Sequence, residues 1–140
     1  MNNVFGQMDD LDTRTAAEAG SVMPVENANG VVVTAEDGVT PKRTITLLGM
    51  DSRVYKERTN SNLNKRLAKG NRAKITAEEL EAETLDVLAS CTIAWTGFND
   101  TAGNPMPCIK QNALLLYKSF PLIREQADKF INDRNNFLTK

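Results

Sequence analysis

The sequence predicts an α+β fold, mostly helical, with three to four helices and a short N-terminal β-hairpin. Apolar residues recur at three- and four-residue steps through much of 76–138, the period of helices with one buried face. Two β-branched runs, at 30–35 and 43–48, flank an Asp37-Gly38 turn, the pattern of paired short strands. With 140 residues, 41% hydrophobic and 25% charged, the chain has apolar material for one modest core.

Residues 1–29 mix acids, Asn, Ala and Gly with scattered apolar residues, and no period lasts. They are expected to form a flexible acidic arm, leaving 30–140 as a single domain. Gly30-Val31-Val32-Val33-Thr34-Ala35 and Arg43-Thr44-Ile45-Thr46-Leu47-Leu48 are the two hairpin strands. Asp51 or Ser52 caps the next helix, which runs through Val54, Tyr55, Leu63 and Leu67 to about Gly70. Thr59-Asn60-Ser61-Asn62 weakens its middle, so one bent helix or two short ones are both compatible. Thr76-Ala77-Glu78-Glu79 is a capping box, and the helix it opens carries Leu80, Leu85, Val87, Leu88, Cys91, Ala94, Trp95 and Phe98 before Gly97 ends it. A turn-rich connection, 99–107, leads to a helix over Ile109 to Phe120. Pro121 opens a last helix with Ile123, Ala127, Phe130, Ile131, Phe137 and Leu138 on one face.

Charge is distributed in blocks. The net charge is −1, but residues 1–40 carry −6, 41–74 carry +8 and 75–140 carry −3. The basic block includes Arg53, Lys56, Lys65, Arg66 and Lys69 on the first long helix, a candidate interaction face. Nucleic acid, an acidic protein surface, the chain's own acidic arm and plain solvent all compete for it. Tyr55 is its only aromatic, which leaves a base-stacking platform without support.

Catalysis finds few footholds. Histidine is absent, which removes Ser-His-Asp and Cys-His chemistry and every His-containing zinc site. The glycine spacing excludes GxGxxG and P-loop motifs. Glu79, Glu83 and Asp86 share a helix face pointing away from the leucine stripe, where a solvated surface is expected. Cys91 and Cys108 read as small apolar residues in a reducing compartment. No catalytic residue, metal ligand or cofactor is expected. The amino terminus lacks a signal-peptide pattern, and the longest apolar run, Ala113 to Tyr117, is five residues. A cytoplasmic protein without membrane association is expected.

The remaining signal is apolar excess. Leu114-Leu115-Leu116 covers more than one helix face, which a small core rarely needs. Leu115, Leu116, Tyr117 and Phe120 are therefore the candidate client-binding face, with Trp95 and Phe130 anchoring the core.

The carboxy-terminal half resembles tail assembly chaperones of long-tailed bacteriophages. The resemblance rests on Trp95-Thr96-Gly97, the polar loop Gly103-Asn104-Pro105-Met106-Pro107 and the helix Asn112-Ala113-Leu114-Leu115-Leu116. It continues through Phe120-Pro121-Leu122-Ile123 and Asn135-Asn136-Phe137. Upstream, Leu48-Gly49-Met50-Asp51-Ser52 fits the same pattern, so the likeness spans roughly 43–138. It implies a non-enzymatic protein of the host cytoplasm, absent from the mature virion. Such a protein binds and solubilises the tape measure protein and helps recruit tail tube subunits, while self-association through the leucine-rich surface is expected from its apolar excess alone. A structural tail or neck component is the alternative, and a nucleic-acid-binding accessory protein is a third.

Overall fold

The computed structural model describes residues 5–70 and 75–138. Its elements run α1 (Arg14–Ala19), β1 (Ser21–Pro24), β2 (Thr44–Leu47), α2 (Arg53–Ala68), α3 (Ala77–Cys91), β3 (Thr92–Thr96), α4 (Lys110–Ser119) and α5 (Pro121–Ile131). Short 3-10 turns cover Asp9–Leu11 and Arg134–Phe137. This is the mostly helical α+β fold expected, and its detail departs from expectation in four places.

The first is the sheet. It is antiparallel, in the order β1-β2-β3, with β2 central. The 43–48 run does supply β2, but its partners are β3 and β1, the latter from within the segment expected to be an arm. The 30–35 run instead folds locally on 40–42, with Lys42 N–H donating to Val33 O at 2.7 Å and Ala35 N–H to Thr40 O at 2.8 Å. Residues 13–25 are drawn into the fold because Ala17, Met23 and Val25 are small or apolar at positions that face the core. All three are buried. The first four residues of the expected arm lie outside the described residues.

The second departure is at Cys91. The helical period continues to Phe98, yet α3 stops and the chain extends into β3. Thr92, Ile93, Trp95 and Thr96 are β-branched or aromatic, which suits a pleated strand. Pairing with β2 supplies their backbone partners, setting Trp95 opposite Ile45 and Thr44 opposite Thr96, whose hydroxyls meet at 2.7 Å. The third departure is the last helix, which ends at Ile131. Phe137 reaches the core from the following 3-10 turn, packing edge-on against Phe130 with ring centres 5.6 Å apart. The fourth is Tyr117, expected on the surface and found with no exposure at all.

The core lies between one face of the sheet and the helices. Met23, Ile45 and Leu47 meet Leu85, Leu88, Cys91, Ala113, Tyr117, Ala127 and Ile131. Ser52 and Thr76 cap α2 and α3 as expected, accepting from the Tyr55 and Glu79 amides at 3.2 and 3.1 Å. α2 is one continuous helix and buries only Asn62. Val54 and Tyr55 seat its base on the core, and further along it meets α3 through the ion pairs Arg58–Asp86, Arg66–Glu83 and Lys69–Glu79.

Candidate functional site

The apolar candidates converge on a groove of about 750 Å³. One wall is the α4–α5 corner, where Phe120 ends α4 and Pro121, with its fixed φ, starts α5 in a new direction. That corner presents Leu115, Leu116, Phe120 and Leu122. The other wall is the strand end of the sheet, with Val25, Arg43, Trp95, Phe98 and Met106. Trp95 is fixed there by its indole N–H, which donates to Met106 O at 2.8 Å, and by Phe98, whose ring centre lies 5.4 Å away.

Of the four client-face candidates, the groove unites three. Leu115 is 57% and Phe120 55% exposed, Leu116 is half-buried, and all three line the cleft. Tyr117 does not belong to it. One residue further around α4, its ring is driven into the core, and its hydroxyl lies 2.6 Å from Thr92 Oγ1. The residues missed from sequence are those of the opposite wall, Arg43, Trp95, Phe98 and Met106. Assigning Trp95 and Phe98 to a helix hid them. The cluster Thr92-Ile93 with Thr96-Gly97 was the available strand signal.

The basic candidates are dispersed, and much of their charge is answered within the chain. Arg53 pairs with Glu57 at 2.8 Å, while its backbone N–H donates to the Glu18 carboxylate. Arg66 pairs with Glu83 at 3.3 Å and Lys69 with Glu79 at 3.5 Å. Lys56 lies near enough to Asp51 to help hold its carboxyl down. Lys56 and Lys65 make no ion pair among the described residues. The acids expected on a solvated face are thus the partners of α2. Asp86 in particular accepts from Arg58 at 2.9 Å and from Lys110 at 2.7 Å. Burial pushes the Asp86 carboxyl up, yet Lys110 and Arg58 together hold it below the usual range. A surface neutralised in this way offers few free cations to a phosphate backbone.

Burial pushes the Cys91 thiol up to about 12, so it stays protonated and unreactive. Among the described residues no three His, Cys, Asp or Glu side chains group as a metal set, and no helix is long and apolar enough to cross a membrane. Comparison of the chain with protein-family models, with curated proteins and with solved structures finds no match.

Proposed function

We propose that this chain is a tail assembly chaperone of a long-tailed bacteriophage. It acts in the host cytoplasm, binds and solubilises the tape measure protein, helps recruit tail tube subunits and is absent from the finished virion. The reading needs no catalytic group. The observation that carries it is the open apolar groove at the α4–α5 corner, made by the same Asn-Ala-Leu-Leu-Leu and Phe-Pro segments on which the family resemblance rests.

The physics of such a client fits the groove. A long helical chain with exposed apolar stripes aggregates until something covers it. A cleft whose rim keeps Leu115, Phe120 and Leu122 more than two-fifths exposed accepts residues spaced along one helix face. Many copies, each binding weakly, would cover the client through avidity.

The test is co-expression with the tape measure protein, the long helical protein encoded nearby. The wild-type chain should keep it soluble and co-elute with it in several copies. Leu115→Glu with Phe120→Glu should leave the fold intact, since both side chains are exposed, and return the client to the insoluble fraction. A client that stays insoluble with the wild type, or soluble with the double variant, overturns the reading. Recovery of the chain from purified virions would favour the structural tail or neck component instead.

A further inference from the structure

The groove has one feature that apolar contact does not explain. Its lining contains two ionisable side chains, Glu26 and Arg43. Glu26 is exposed at the rim, its backbone clamped by Gln126 through two 2.8 Å hydrogen bonds. Arg43 is half-buried in the wall, where its stem lies against Gly97. Among the described residues its guanidinium makes no ion pair and no side-chain hydrogen bond. By contrast, each arginine of α2 and α5 has an acid, as Arg58 has Asp86 and Arg124 has Glu81.

An open groove leaves Arg43 hydrated. Filling it with a purely apolar helix would strip that water and leave a guanidinium with five unanswered donors. An occupant with an anionic acceptor at that point offsets the cost best, because a carboxylate answers the charge and matches the planar fork in bidentate geometry. Glu26 does not answer the charge: it is exposed at the rim and makes no ion pair with Arg43.

Resting on the chaperone reading, we infer that Arg43 selects the client segment: an amphipathic helix whose apolar stripe fills the groove and whose flanking Asp or Glu pairs with Arg43. Leu115, Phe120 and Leu122 supply affinity for any apolar helix. Arg43 decides which stretches of a long helical client are taken, rejecting those that bring Lys or Arg to the same place.

Trp95 is the chain's only tryptophan and sits in the groove wall, so its emission reports occupancy directly. The probes are overlapping Trp-free peptides spanning the tape measure protein. The tightest binder is then remade with the acid beside its apolar stripe changed to Gln and to Lys. For the wild-type chain the Gln peptide should bind about tenfold more weakly, the size of a lost charge-assisted hydrogen bond, and the Lys peptide more weakly still. Arg43→Gln should erase the difference between the Glu and Gln peptides, and Arg43→Glu should invert the preference toward Lys. Because the Arg43 head group bonds to none of the described residues, both variants should melt as the wild type does. If the three peptides bind the wild type alike, or if their ranking survives in Arg43→Gln, the inference is overturned. Leu115→Glu separates the two failures. If it abolishes binding while the wild type takes the three peptides alike, or while their ranking survives in Arg43→Gln, the groove stands and the selection rule falls. If it changes nothing, or no peptide binds, both fall.

Discussion

The hydroxyls of Tyr117 and Thr92 lie 2.6 Å apart, joining the last turn of α4 to the residue where α3 gives way to β3. Thr92 has a single proton, and it goes to Leu88 O at 2.8 Å, so Tyr117 is the donor between the two. Burial pushes the Tyr117 phenol well above its usual range, which keeps that donor in place. The bond holds the helix-to-strand switch against the helix that carries the groove wall. Tyr117→Phe keeps the packing and removes the donor, and should cost about 1 kcal/mol in urea denaturation. Tyr117→Ala removes a fully buried ring and should cost about 3–5 kcal/mol. Client solubility should follow stability in both variants, whereas Leu115→Glu should lose client without losing stability.

A second relationship gives a dependence on pH. Asp51 accepts two hydrogen bonds from Arg134, at 2.8 and 3.0 Å, and one from Thr13 at 2.6 Å, tying the base of α2 to both ends of the chain. The Arg134 hydrogen bonds, with Thr13 and the charges of Arg134 and Lys56, outweigh burial and hold the Asp51 carboxyl down to about 2, against an ordinary 3.8. A carboxyl lowered by folding binds its proton more readily in the unfolded chain. Its contribution is therefore complete above about pH 4 and disappears as pH falls toward 2. Arg134 is 58% exposed, so solvent screening limits the effect to about 1 kcal/mol. Between pH 6 and pH 2.5 the wild type should lose about that much more stability than Asp51→Asn. Equal losses would show that the pair contributes nothing.

Which features were legible in the sequence follows the range of the interaction that makes them. The Ser52 and Thr76 caps are bonds across three residues, and both were readable. The acids at 79, 83 and 86 showed their helical spacing, but their partners lie on another helix whose placement no local pattern reveals. The same holds at Cys91. A helical step from Cys91 through Trp95 is locally as good as a strand, and pairing with Ile45 on β2 decides the matter. Leu115 and Phe120 could be singled out because three consecutive leucines exceed one helix face. Tyr117 could not be separated from them, since one position around a helix turns a side chain by about 100°. Arg43 was hidden because the groove wall it enters exists only once β2, β3 and the α4–α5 corner have met.

The charge between α2 and α3 should be concentrated at Asp86. Its carboxylate serves Arg58, Lys110 and the buried amide of Asn62, the last at 3.3 Å, and is itself only 20% exposed. Asp86→Ala strands all three partners and should cost about 2 kcal/mol. Lys110→Ala removes one 48%-exposed partner and should cost about 0.5 kcal/mol or less. Urea midpoints with an unchanged slope would measure both. Comparable costs for the two would mean that Asp86 does not organise the contact.

Gly97 and Gly103 flank the loop behind the groove, and both have a left-handed backbone, at φ +83 and +87. Their surroundings differ. A Cβ on Gly103 would meet nothing within 4 Å, whereas one on Gly97 would stand 2.0 Å from the Lys42 carbonyl oxygen and 3.0 Å from Arg43 Cγ. Gly103→Ala should therefore cost only the conformational strain, about 1 kcal/mol. Gly97→Ala must also push β2 away from the start of the loop, and should cost about 3 kcal/mol. The displaced residues, Arg43 and Phe98, are groove wall. Residual folded Gly97→Ala protein should accordingly show altered Trp95 emission, while Gly103→Ala keeps the wild-type spectrum. Equal costs and identical spectra for the two variants would mean that the backbone approach at Gly97 does not set the wall.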